Sequence, residues 1–203
     1  MSKQLLYLFG EPGTGKITVA RILQERLGWR LFWLHDLDPV CTIVGRYPLP
    51  RLMDRISVAV LEELMDAGES IIYVRPSRDR ESVAGVLDLA KAAGYGCYPI
   101  RLTAPYWTLV ERVSSRGSSK FRIGGEEELD RYLDARPSTS ACLASTSIYT
   151  GHLTPEQVAD EVQQHLVNER MTDGKCSRVH ARSRGADASQ ADRVPAGRAA
   201  VQP

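Results

Sequence analysis

Two periodicities of apolar residues take turns along this chain. Short strand-like runs, most of them rich in apolar residues, occupy about residues 4–9, 30–34, 70–74, 97–102 and 145–149. Between them apolar positions recur at helical spacing. Val19, Ala20, Leu23 and Leu27 share one face of a helix over 15–27, and Met53, Ile56, Val60, Leu61 and Leu64 one over 51–67. Further helices are predicted over 79–93, 106–115 and 126–135, the last of them acidic. A final helix opens at Thr154-Pro155-Glu156-Gln157, where a capping threonine, a proline at the first helical position and a glutamine three residues on mark an N-terminus. Strands alternating with helices predict an α/β fold: a five-stranded parallel sheet with helices on both faces and right-handed crossovers. On such a sheet ligands bind at the carboxyl ends of the strands.

The end of the first strand carries the most specific chemistry. Leu5-Leu6-Tyr7-Leu8-Phe9 runs directly into Gly10-Glu11-Pro12-Gly13-Thr14-Gly15-Lys16-Ile17-Thr18. Glycines at 10, 13 and 15 allow positive φ, so backbone N–H groups can wrap an anion with no Cβ in the way. The helix that follows aims its amides and positive dipole end at the same point, and Lys16 adds a mobile ammonium. Strand, loop and helix together predict a P-loop NTPase fold binding a nucleoside triphosphate, ATP or another NTP, through Gly10, Gly13, Thr14, Gly15, Lys16, Ile17 and Thr18. One position departs from the simplest pattern. A Ser or Thr hydroxyl after the lysine ordinarily ligates Mg²⁺, but here the residue is Ile17, and Thr18 points about 100° further round the helix.

The loop resembles that of nucleoside monophosphate kinases such as adenylate kinase, which hold Mg²⁺ largely through water. The pattern Lys-x-Thr-Val-Ala-Arg is also similar to that of small bacterial P-loop kinases. By the first resemblance, Ile17 is compatible with catalysis while weakening the case for direct metal ligation.

The other strand ends supply candidates for the acceptor side. Strand 2 leads into Leu34-His35-Asp36-Leu37-Asp38, and a kinase acting on a hydroxyl needs an acceptor for its proton. Asp36 is the first candidate base, with Asp38 and His35 behind it. Here the chain resembles the chloramphenicol phosphotransferase type of enzyme and, more distantly, shikimate and gluconate kinases, in which an aspartate ending strand 2 contacts the acceptor hydroxyl. Strand 3 ends in Val74-Arg75, without the acid that helps hold metal in many P-loop enzymes, which shifts water-mediated metal duty to Asp36 and Asp38. Arg75 suits an anionic substrate group. Arg46 and Tyr47 lie in the proline-rich connection where an acceptor would enter. The stretch from Glu111 through Arg112 and Arg116 to Arg122 resembles the lid of small-molecule kinases, near 112–125. That resemblance implies Arg112 on the nucleotide and Arg116 on the transferring phosphoryl group, and Gly117, Gly124 and Gly125 give the lid its flexibility.

Composition limits the alternatives. The 203 residues suffice for one domain, expected over 1–172. Residues 173–203 hold six Lys/Arg against three Asp and no aromatic residue, a composition predicting a disordered tail. That tail carries +3 of a formal net charge of +1, so the remainder is at −2 and has no strongly basic character. Nucleic acid is therefore not an expected partner, and a polynucleotide end kinase lacks support. Cys41, Cys97, Cys142 and Cys176 form no Cys-x-x-Cys pair and read as reduced thiols. With no apolar run long enough to cross a membrane and no signal-peptide pattern at the start, the expected setting is cytoplasmic, as a monomer or homodimer. The residues and the resemblance together predict a kinase moving the γ-phosphoryl group of ATP, with Mg²⁺, to a hydroxyl of a small molecule. An antibiotic or nucleoside-like compound is the favoured acceptor, a nucleotide kinase the nearest alternative, and a nucleotide-gated switch with little turnover the alternative of another class.

Overall fold

The computed structural model describes residues 3–37, 50–76, 80–116, 123–135, 143–144 and 146–183. Its centre is β1 (Gln4–Phe9), buried at every position. β1 lies between β3 (Ile71–Val74) and β4 (Gly96–Thr103), with β2 (Arg30–Trp33) and β5 (Thr146–Tyr149) at the edges, in the order β2-β3-β1-β4-β5 and parallel throughout. The helices are α1 (Lys16–Leu27), α2 (Pro50–Asp66), α3 (Arg80–Ala92), α4 (Tyr106–Ser115), α5 (Glu126–Asp134) and α6 (Pro155–Ser183).

Because successive strand residues face opposite sides, β1 feeds two cores. Leu6 and Leu8 pack with Val19, Ala20 and Leu23 of α1 and Val158, Ala159 and Val162 of α6. Leu5, Tyr7 and Phe9 pack on the other side with Leu61 and Met65 of α2 and Val83, Val86 and Leu87 of α3. A strand buried on both faces is near-continuously apolar, which is why Leu5–Phe9 of β1 read as an unbroken run. A separate small cluster joins Leu109 and Val113 of α4 to Leu129 of α5. The five-stranded parallel sheet with helices on both faces, expected from the alternation of strands and helices, is the one observed.

Two elements differ from expectation. β2 stops at Trp33, and Leu34–Leu37 form a 3₁₀ turn in which the Asp36 carboxylate accepts the Trp33 N–H at 3.3 Å. A local side-chain acceptor there takes over from the strand ladder. At the other end, α6 starts as predicted, with the Gln157 N–H donating to Thr154 Oγ1 at 3.3 Å and the Thr154 N–H to Gln157 Oε1 at 2.8 Å. The helix then continues to Ser183, over residues 173–183 where composition predicted no regular structure. No proline interrupts the chain before Pro195, and the lone Gly174 costs only about 1 kcal/mol in a helix. Residues 184–203 lie outside the described residues. The compact unit that holds the sheet spans Met1–Leu166, and Val167–Pro203 forms a second. Among the described residues no helix is long and apolar enough to cross a membrane.

Candidate active site

The loop between β1 and α1 takes the conformation its glycines permit. Gly10 has φ 142°, and a Cβ there would fall 2.1 Å from the Leu102 carbonyl oxygen of β4. Only glycine fits so close an approach. Gly15, at φ 84°, turns the chain into α1, whose N-terminus has no side-chain cap and no acid in its first turn. With no capping side chain on them, those first amides and the positive end of the helix dipole are suited to bind an anion.

Lys16 folds over the loop. Its Nζ donates to the carbonyl oxygens of Gly10 (2.9 Å) and Glu11 (2.7 Å) and to Thr14 Oγ1 (3.1 Å). Burial pushes its pKa down from 10.5 to about 7. The Glu11 carboxylate opposes that shift and the Arg116 guanidinium adds to it. Arg116, at the C-terminus of α4, is therefore close enough to Lys16 for their charges to interact. Ile17 is half-buried and Thr18 exposed on the first turn of α1.

Arg112, expected at the nucleotide, is engaged with the loop itself. Its Nη1 donates to the Gly13 carbonyl (3.3 Å) and to Thr150 Oγ1 (3.1 Å), and its Nη2 to the Thr150 carbonyl (2.8 Å). A guanidinium with several N–H groups in fixed directions can span a loop and a strand end in this way. On the opposite sheet face, Glu11 of the loop pairs with Arg101 of β4 at 2.6 Å. The loop is held from both sides.

On the acceptor side, Asp36 is exposed at the 3₁₀ turn after β2. That turn is covered by the first turns of α2, where Met53 packs with Leu34 and Leu37. The next residue, Asp54, pairs with Arg75 at the end of β3, and the Arg75 Nη1 also donates to Tyr73 Oη at 3.5 Å. Arg75, expected to meet an anionic substrate, is only 3% exposed, whereas the Asp54 side chain is 40% exposed. Burial works against the Arg75 charge, but Tyr73, Tyr7 and Asp54 outweigh it and its pKa is raised. In this arrangement Arg75 backs Asp54, and the carboxylate is the more accessible partner.

Asp38, Arg46, Tyr47 and the middle of the expected lid, 117–122, lie outside the described residues. Among the described residues no group of three or more His, Cys, Asp or Glu side chains is placed to hold a metal ion. Thr150, Arg101 and Asp54 escaped the sequence reading. A signal existed for two of them: Thr150 directly follows strand 5 and Arg101 lies near the end of strand 4, at the carboxyl ends where ligands bind on such a sheet.

No protein-family model matches the chain. A stretch of 33 residues is 48% identical to a putative adenylate kinase of Methanosarcina mazei, covering 16% of this chain and 17% of that protein. Among solved structures, a gluconokinase from Sinorhizobium meliloti superposes with a TM-score of 0.62 at 15% identity, over 87% of this chain and 97% of that one. Shikimate kinase from Acinetobacter baumannii gives 0.59 at 20% identity, over 82% and 94%. A tunicamycin resistance protein from Deinococcus radiodurans gives 0.58 at 15% identity, over 81% and 96%. The chain shares its fold with these solved gluconate and shikimate kinase structures.

Proposed function

We propose that this chain is a phosphotransferase that moves the γ-phosphoryl group of ATP to a hydroxyl of a small molecule. The observation that carries the reading is the phosphate cradle: positive-φ glycines, an uncapped helix N-terminus and Lys16, with the Arg116 charge nearby. In the proposed reaction the acceptor oxygen forms a bond to the γ-phosphorus. The bond from that phosphorus to the β–γ bridging oxygen breaks, ADP leaves, and the hydroxyl proton passes to Asp36. Arg116 stabilises charge on the transferring group. Mg²⁺ supplies charge neutralisation when bound. Ile17 offers it no oxygen, so the fitting mode is through the phosphates and water, with Asp36 and Asp38 as outer partners.

Gluconate, shikimate and sugar kinases share the fold, and one structural neighbour is named for tunicamycin resistance, which favours an antibiotic or nucleoside-like hydroxyl acceptor. The short match to a putative adenylate kinase favours nucleoside monophosphates as the second reading. The test is acceptor-dependent ADP release, measured with hydroxy acids, sugars, nucleosides, hydroxyl-bearing antibiotics and nucleoside monophosphates, and repeated with Lys16→Ala. Turnover that depends on one acceptor class and is lost in Lys16→Ala supports the proposal. Tight ATP binding with no transfer to any class overturns it in favour of a nucleotide-gated switch.

A further inference from the structure

Gly15 has φ 84°, and a Cβ there would meet nothing within 4 Å. A peptide next to an unhindered glycine rotates at little cost, so its direction has to be fixed by something else. The carbonyl of Thr14 is held by Thr150 Oγ1 at 3.2 Å, from a residue that is 2% exposed at the end of β5. The same hydroxyl lies 3.2 Å from the Thr103 carbonyl, but that oxygen already accepts the Thr150 N–H at 2.7 Å. The hydroxyl has one proton, and the Thr14 carbonyl is where it adds a bond not otherwise made. Arg112 Nη1 donates to the hydroxyl at 3.1 Å, which orients its proton away from Arg112.

In a trans peptide a carbonyl and the next N–H point in opposite directions. Holding the Thr14 carbonyl towards Thr150 turns the Gly15 N–H to the other side of the peptide. We infer that Thr150 is a positioning residue for phosphate binding: its hydroxyl, oriented by Arg112, locks the Thr14–Gly15 peptide with the Gly15 N–H directed at the phosphate chain. The inference rests on the nucleotide-binding reading above and adds a residue 136 positions away in sequence to its machinery. Thr150 touches no ligand in this scheme. It acts by sparing the phosphate the cost of ordering the loop.

The test uses the full chain and two probes, inorganic triphosphate and a non-hydrolysable ATP analogue, with affinities from calorimetry. Thr150→Val keeps the shape and removes the hydroxyl. It should weaken both probes by about tenfold, the size of one hydrogen bond. Thr150→Ser restores the hydroxyl and should recover most of the affinity, a rescue that a merely structural role would not require to track binding. Thr150→Cys, of similar size but a poor donor, should bind like the valine variant and serves if valine prevents folding. In turnover assays KM for ATP should rise while kcat changes little. A folded Thr150→Val or Thr150→Cys variant that binds inorganic triphosphate within twofold of wild type overturns the inference, as does a serine variant no better than valine. If wild type binds neither probe, the nucleotide-binding reading itself is wrong.

Discussion

Lys16 should make nucleotide affinity depend on pH in a range where an ordinary lysine is fully charged. Burial pushes its pKa from 10.5 to about 7, with Arg116 adding to the shift and Glu11 opposing it. Near neutrality the ammonium is then about half protonated, so a phosphate chain that requires it takes up roughly half a proton on binding. Below about pH 7 affinity should be flat. Above it, each further pH unit should weaken binding by up to about tenfold, or about 1.4 kcal/mol, until the pH passes the pKa of the complex. The effect on folding has its own sign. With the folded pKa below the unfolded value, the unfolded chain holds more protons between about pH 7 and 10.5. The lysine's destabilising contribution is therefore fully present below that window and relieved as pH rises through it. Against burial stand the three hydrogen bonds that Nζ donates, which favour the ammonium. Calorimetric titration of a non-hydrolysable ATP analogue from about pH 7.5 to 9.5, in two buffers of different ionisation heat, reads affinity and proton uptake together. Lys16→Arg keeps its charge throughout and should bind more weakly without the slope. A wild-type affinity flat across that range, with no proton uptake, would refute the reasoning and show that the loop carbonyls outweigh desolvation.

Other substitutions probe separate parts of the site. Asp36→Asn should lower kcat by roughly 10²–10⁴-fold with nucleotide affinity unchanged, read by steady-state kinetics and calorimetry. Equal losses in both would place Asp36 on the wrong side of the reaction. Gly10→Ala drives a Cβ to within 2.1 Å of the Leu102 carbonyl oxygen, so it should cost about 1–3 kcal/mol or more in denaturant unfolding and eliminate triphosphate binding. An unaltered midpoint would mean that β1 and β4 are less closely apposed there. Asp54→Ala leaves the Arg75 guanidinium buried without its acid. Because the Asp54 side chain is 40% exposed, solvent screening reduces the usual penalty for a broken buried pair to about 1–3 kcal/mol. Adding Arg75→Met should recover part of that loss, and a double variant less stable than Asp54→Ala would show that Arg75 has other work.

What could be read along the chain was local. The loop at Gly10–Thr18, the bounds of α4 and the Thr154–Gln157 cap are each set by residues within one or two turns of each other, where periodicity and spacing hold the information. The contacts that missed detection join distant positions: Thr150 to Thr14 across 136 residues, Arg101 to Glu11 across 90, and Asp54 to Arg75 across 21. No periodicity within a window reports such a pairing. The same limit explains Arg112. The lid resemblance implied a nucleotide contact for it; its bonds to Thr150 and Gly13, which come together only when β5 and the loop are in place, could not be read from the sequence. Asp36 was found as a candidate because it follows a strand. Its bond to the Trp33 N–H, which ends that strand, was not.

The placement of β1 has a kinetic side. The strand made first is flanked by β3 and β4, so residues 4–9 must wait for residues 71–74 and 96–103 before both their edges are paired. Loops of that length close slowly, and sheets dominated by distant pairings fold late compared with helical bundles. During synthesis at about 5–20 residues per second, the apolar Leu5–Phe9 segment therefore remains an unpaired strand for several seconds, exposed to misassociation. The clasp on Thr14 comes later still, since Thr150 lies beyond β4. High-affinity ATP capture should thus begin only after most of the first unit has been made. In a series of stalled nascent chains, nucleotide binding would mark completion of the sheet rather than appearance of the Gly10–Thr18 loop.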